Sequence, residues 1–221
     1  MTPGFPLPRP LIPRSKSTWV TLACSAVWLL STVGGLAFLW TYENTPGTRL
    51  AVPASWPAGS QIPHAAGTAT LVMFAHPRCP CTRASVDELT GVLEQYPGRA
   101  QVHVVFYKPR GAPDGWALTD LWRSAAAIPG VDVRCDENGV EAARFGATTS
   151  GSVLFYDAGG KLQFDGGITA ERGHAGDNDG LSAIVALLNR STPSISTMPV
   201  LGCSLLGPHS TCKLPGALSH Q

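Results

Sequence analysis

Charge is what this chain has least of. Only 14% of its 221 residues are Asp, Glu, Lys or Arg, and 16 basic against 15 acidic side chains leave a net charge of +1. There is no basic run to form a face for nucleic acid and no acidic tail, so the composition excludes a polyanion binder of the usual kind. Cysteine is too thin for a stapled mini-scaffold. Six thiols (Cys24, Cys79, Cys81, Cys135, Cys203 and Cys212) spread over this length do not by themselves define a disulfide framework. Compartment must therefore be read from targeting signals. The prolines, 19 in all, fall mostly toward the two ends and leave the middle of the chain to regular structure.

One long stretch has no charge at all. Residues 19–40, WVTLACSAVWLLSTVGGLAFLW, run from Trp19 to Trp40 without an ionisable acid or base. At about 1.5 Å rise per residue, this run spans a hydrocarbon core of about 30 Å. Trp19, Trp40 and Tyr42 stand at its ends, where interfacial aromatics belong. Arg9, Arg14 and Lys16 precede it and Glu43 follows it. The positive-inside bias then predicts a single-pass anchor with a cytoplasmic N-terminus and the rest of the chain outside. A cleaved signal peptide would have a shorter apolar region, of about 7–15 residues, and a small-x-small site after it. Cys24 reads as a small apolar residue of the span.

The remainder divides by composition. Residues 1–18 carry five prolines and no period, which predicts a disordered cytoplasmic tail. Residues 41–67 read as a proline-containing linker. From Thr68 the pattern becomes regular. Residues 69–75 (ATLVMFA) are a continuous apolar run, as in a strand buried on both faces. Residues 82–96 have helical spacing, 101–107 (QVHVVFY) strand character and 116–128 helical spacing again. Residues 131–134 suggest a short strand and 137–145 a short helix. Residues 152–157 and 162–166 are two strands joined through Ala158-Gly159-Gly160, and 181–190 are a last helix. This order predicts an α/β domain over residues 68–192: a central mixed sheet with helices on both faces. Residues 193–221 show no core-building period and read as a Pro/Ser/Cys-containing tail.

The chemistry concentrates in Phe74-Ala75-His76-Pro77-Arg78-Cys79-Pro80-Cys81-Thr82, where a strand hands over to a helix. Thiols at a helix N-terminus sit at the positive end of its dipole, which favours thiolate, the species that attacks disulfides and binds soft metals. Residues two apart in a helix point away from each other, so Cys79 and Cys81 can pair only if Cys79 lies in the turn. Pro80 favours that placement, since proline suits the first helical position and disfavours helix before it. Cys79, flanked by Arg78, is the expected nucleophile and Cys81 the resolving thiol, with Arg83 adding positive potential. A disulfide across one residue would be strained and hence oxidising.

A strand, a cysteine pair opening the next helix, then βα and a terminal ββα resemble the thioredoxin-like superfamily over residues 68–190. Phe74 to Cys79 keeps that family's Phe-x-x-x-x-Cys spacing, and Glu88-Leu89 matches an acidic-apolar pair on its helix. The resemblance implies a three-layer sandwich and protein thiols and disulfides as partners. There are departures. The cysteines are Cys-Pro-Cys instead of Cys-x-x-Cys, and Gly151 stands where the family places a cis-proline. The region around residues 116–134 is similar to the insertion of membrane-anchored extracytoplasmic members. The phrases at 76–85 and 168–174 resemble bacterial RedB-type membrane proteins, which implies a domain in the periplasm or cell exterior, held at the inner membrane. In such a fold the loop carrying Arg172 and His174 passes close to the cysteine turn, making His174 a further candidate site residue and placing Arg172 with it at the border of the site.

Other readings use the same residues. His76, Cys79 and Cys81 together would suit Cu(I), since soft thiolates select it, as in a metallochaperone for oxidase assembly. A thiol peroxidase is a third option, although His76 occupies the position where such sites carry threonine. Gly176-Asp177-Asn178-Asp179-Gly180 lacks the ligand spacing of a calcium loop and reads as a turn and helix cap. For the tail, a structural disulfide between Cys203 and Cys212 is expected, with the alternative that one of them reaches back as a resolving thiol. Cys135, at a strand end, is expected to be buried, with the alternative that it partners a tail cysteine.

Overall fold

In a computed structural model the protein is described over residues 16–205. Nearly all of the expected N-terminal tail lies outside this range, as do the last sixteen residues with Cys212. The described residues fall into two compact units that divide between Tyr42 and Glu43.

The first unit is made by helix α1 (Lys16–Asn44), whose last two residues fall past its boundary and which is longer at both ends than the charge-free run. It is long and apolar enough to cross a membrane, by length and composition, with a mean hydropathy of 1.9. Its large side chains, Trp19, Trp28, Leu30, Phe38 and Trp40 among them, face outward all round. Thr21, Thr32 and Thr41 each turn the hydroxyl back to the carbonyl four residues earlier, at 2.9 Å. Polar groups satisfied within the helix are what a solvent without hydrogen bonds requires.

The second unit is built on a five-stranded sheet. Its strands are β1 (Thr70–Ala75), β2 (Gln101–Lys108), β3 (Val131–Glu137), β4 (Ser152–Tyr156) and β5 (Leu162–Gly166). The order is β3-β2-β1-β4-β5, with β1, β2 and β3 parallel, β4 antiparallel to β1, and β5 antiparallel to β4. Successive residues of β1 face opposite sides. Leu71, Met73 and Ala75 join a core covered by α2 (Pro80–Gln95), α3 (Asp120–Ala126) and α5 (Asp179–Leu188). Val72 and Phe74 join a second core on the opposite face. The expected three-layer sandwich with a central mixed sheet is therefore present.

The second core has only one short helix over it, α4 (Val140–Arg144). Asp136 fixes that helix, accepting from the backbone N–H groups of Glu141 and Ala142, each at 2.9 Å. Five helical residues cannot cover the face, and irregular chain completes it. Ile62, Trp56 and Val52 pack here from the stretch expected to be a linker, and Leu205 from the expected tail. The Trp56 ring meets Phe145 and Tyr156 edge-on, both at 5.1 Å between centroids. Its backbone N–H donates to the Gly160 carbonyl at 2.7 Å, and the Tyr156 hydroxyl donates to Pro53 at 3.1 Å. Residues 50–62 thus belong to the folded unit and are not a spacer held clear of it.

Two elements differ in extent from expectation. The helix expected over 116–128 is a 3₁₀ turn (Asp114–Ala117) followed by α3, because Thr119 interrupts it and caps α3 by accepting from the Trp122 N–H at 3.4 Å. The short strand expected at 131–134 continues to Glu137, since β2 offers a parallel partner along its whole length.

Candidate functional site

The site is assembled where β1 ends. Ala75 is the last strand residue, and the Cys79 N–H donates to the His76 carbonyl at 3.0 Å, closing a turn. Cys79 is the N-cap of α2, in extended conformation (φ −87°, ψ 115°), with Pro80 at the first helical position. That is the geometry the prolyl ring dictates on both sides of itself.

Across from this turn runs the segment Thr148–Gly151 that leads into β4. Ser150 ties the two together. Its Oγ accepts from the His76 backbone N–H at 2.7 Å and bonds the Thr82 hydroxyl at 2.5 Å. Gly151 donates to the Phe74 carbonyl at 2.8 Å with φ +93°, a region a side chain would strain, and a Cβ there would press on the Ser85 hydroxyl. The glycine at the position of the expected proline thus has its own conformational reason. No cis peptide bond occurs among the described residues.

A third strand-like segment completes the site. Leu205 N–H donates to the Thr148 carbonyl at 2.7 Å and Ser150 N–H to the Cys203 carbonyl at 2.8 Å, around an antiparallel bridge between Thr149 and Ser204. This pairing carries the Cys203 sulfur against Cys79. Cys79 is only 2% exposed, while Cys81 is half-buried. Cys79 and Cys81 are both unbridged thiols.

The surroundings of Cys79 are polar. Hydrogen bonds from the thiols of Cys203 and Cys81 and from Thr82 hold its pKa far below the ordinary thiol range, against the opposing pull of burial. Cys81 is pushed the other way, by its hydrogen bond to Cys79 and by burial, with Arg172 only partly offsetting this. The two shifts oppose each other, so the surroundings favour the anion on Cys79 over the anion on Cys81.

The basic residues are distributed differently from the sequence reading. The Arg78 guanidinium lies 4.7 Å from the Trp116 ring centroid, an exposed cation–π contact, and is not among the groups acting on Cys79. Arg83 pairs with Asp120 on the solvent face. Arg172 is the cation at the thiols. It contacts Cys81 and donates to the Gly202 and Thr45 carbonyls at 3.0 and 2.8 Å. His174, by contrast, is turned out to solvent, its Nδ1 against the Arg172 carbonyl at 2.9 Å. Its loop does reach the site, but through Arg172.

His76 is buried. It stacks on Tyr107 (5.9 Å between centroids) and meets Trp116 edge-on (5.6 Å), with Nδ1 accepting from the Arg78 N–H at 3.2 Å. Among the described residues no group of three His, Cys, Asp or Glu side chains is arranged to hold a metal ion. Cys135, expected to be buried, is exposed, because β3 is the edge of the sheet.

Sheet order, strand directions and the cysteine turn at the end of the central strand make this a thioredoxin-like fold. No family model matches the sequence, and no curated protein matches it. Solved structures are similar to it. An uncharacterized conserved protein of Geobacillus kaustophilus is 18% identical, with a TM-score of 0.54 over 75% of this chain and 95% of that one. A hypothetical protein of Sinorhizobium meliloti 1021 is 23% identical, with a TM-score of 0.49 over 74% and 96%. A secreted Mycobacterium tuberculosis disulfide oxidoreductase is 21% identical, with a TM-score of 0.43 over 55% and 83%. At these identities the likeness is one of fold.

Proposed function

We propose that this protein is a membrane-anchored thiol–disulfide exchange protein acting on protein partners outside the cytoplasm. The observation that carries the reading is the placement of Cys79, a helix-cap sulfur with the Cys203 and Cys81 thiols and the Thr82 hydroxyl as neighbouring donors, which pull its pKa down. Thiolate is the attacking species in exchange. The Cys79 thiolate attacks one sulfur of a partner disulfide. The partner's S–S bond breaks, its first sulfur leaves as thiolate and takes a proton, and a mixed disulfide forms. Cys81 gives up its proton and attacks the Cys79 sulfur, forming the Cys79–Cys81 disulfide and releasing the second partner thiolate. Two electrons pass from the cysteine pair to the partner, and run the other way the same steps oxidise it. Arg172 beside Cys81 favours the anion that this step needs.

The anchor reading rests on α1 and on the Arg9, Arg14 and Lys16 that precede the apolar run. It places the folded unit in the periplasm or cell exterior, where disulfides persist.

The test uses the full chain in detergent, equilibrated with glutathione redox buffers. The protein should show a two-electron dithiol–disulfide equilibrium that Cys79→Ser abolishes. Retention of that equilibrium in the variant, or its absence in the parent protein, would overturn the reading. Metal analysis of the same preparation addresses the copper alternative: stoichiometric copper without a dithiol potential would favour a Cu(I) carrier using Cys79 and Cys81.

A further inference from the structure

We propose that Cys203 is a second resolving thiol, which attacks Cys79 in the mixed disulfide and closes a Cys79–Cys203 bond that straps the C-terminal segment over the site. This rests on the exchange reading of Cys79 and names a participant that reading does not use.

The segment around Cys203 is held like a strand. Its pairing with Thr148–Ser150 fixes residues 203–205, and Arg172 holds the Gly202 carbonyl one residue earlier. Gly202 is required at that point, since a Cβ there would run into the Ser150 carbonyl oxygen. The same Ser150 whose N–H donates to the Cys203 carbonyl also holds the cysteine turn through His76 and Thr82. One residue therefore sets both thiols in register. Upstream, Val200 is buried and its carbonyl accepts from Gly47 N–H at 2.9 Å, so the segment is anchored before as well as at the site.

The two resolving candidates differ in geometry. Cys81 is separated from Cys79 by Pro80 alone and belongs to the first turn of α2, so closing that ring strains the helix start. Cys203 arrives on a separate segment, free of that constraint. Its thiol is also the largest influence holding Cys79 as thiolate, which places it in hydrogen-bond contact with the sulfur it would attack.

The step balances without further reagents. The partner disulfide is the oxidant. In the mixed disulfide, Cys203 loses its proton and attacks the Cys79 sulfur. The Cys79–partner bond breaks, the partner leaves as thiolate and takes up that proton, and one disulfide replaces another. A Cys79–Cys203 bond keeps the nucleophile covered until a thiol reduces it. A consequence is that Cys81→Ser alone is a poor trap for partners, because Cys203 still releases them.

The experiment uses full-length Cys81→Ser/Cys212→Ser protein treated with oxidised glutathione. Trypsin then leaves Cys79 alone in peptide 79–83 and Cys203 alone in peptide 191–213. Non-reducing mass spectrometry should find these two peptides joined. Adding Cys203→Ser should instead leave glutathione on Cys79, with the mixed disulfide decaying on the order of tenfold more slowly or not at all. Persistent glutathione on Cys79 in the double variant, with no joined peptides, would overturn the role of Cys203 while leaving the exchange reading intact. Failure of Cys79 to accept glutathione in any variant would overturn both.

Discussion

The sulfur of Cys79 is nearly inaccessible, yet its surroundings are those of a stabilised anion. Burial alone would raise a thiol pKa, and here three donors outweigh it. The sign of the pH response follows. A thiol near its ordinary pKa of about 8.5 loses reactivity about tenfold per pH unit below that value. Because the Cys79 pKa is lowered, the thiolate is expected to persist further toward acid pH than an ordinary thiolate does. Alkylation of peptide 79–83 at Cys79, measured on Cys81→Ser protein by mass spectrometry, should be slow but nearly flat between about pH 5 and 8. Cys203→Ala removes the leading donor and should bring back a slope in this range. Of the residues singled out by sequence, Cys79 and Cys81 lie together at the turn. Arg78 and His174 point elsewhere, and Arg172 supplies the local cation. Nothing local in the sequence separates Arg172 from Arg78, because their difference lies in which carbonyls the folded chain brings to each.

At the scale of elements, the cysteine turn was legible because its causes are local. Pro80 sets the helix start, and the apolar run before it sets the strand. The opposing segment was not legible. Ser150 looks like an ordinary turn residue, and its importance comes from bonds to His76 and Thr82, both far away in sequence. Ser150→Ala removes both bonds in a buried setting and should cost roughly 2–4 kcal/mol, read by urea unfolding. Ser150→Thr keeps the hydroxyl and should recover part of the loss, whereas full stability in the alanine variant would show that the turn holds without it. The helix expected over 116–128 was right in its periodicity and wrong in its continuity, since Thr119 offers the backbone a competing cap.

The folded unit as a whole is larger than the periodic region suggested. A single five-residue helix leaves most of one sheet face open, and buried apolar surface must come from somewhere. It comes from Val52, Trp56, Ile62 and Leu205, scattered among prolines and glycines with no period to announce them. Truncation after Arg190 would strip Val200 and Leu205, both buried, and should destabilise the protein by about 3–6 kcal/mol in the same unfolding measurement. It would also uncover Cys79, so alkylation should accelerate even as stability falls. An unchanged unfolding midpoint would mean that the C-terminal segment is not part of the cooperative unit.

The sequence alone determined the anchor-like helix, the strand and helix order, and the cysteine turn, because each follows from contiguous residues: an unbroken apolar length, a period, a proline beside a thiol. What surrounds that turn depends on contacts between residues distant along the chain. Ser150 is far from Cys79 along the chain and carries no pattern of its own, while Arg172 and Cys203 were candidates in the sequence whose places beside the thiols only long-range pairing fixes. Their positions are fixed by which sheet edge and which uncovered face the intervening chain must satisfy.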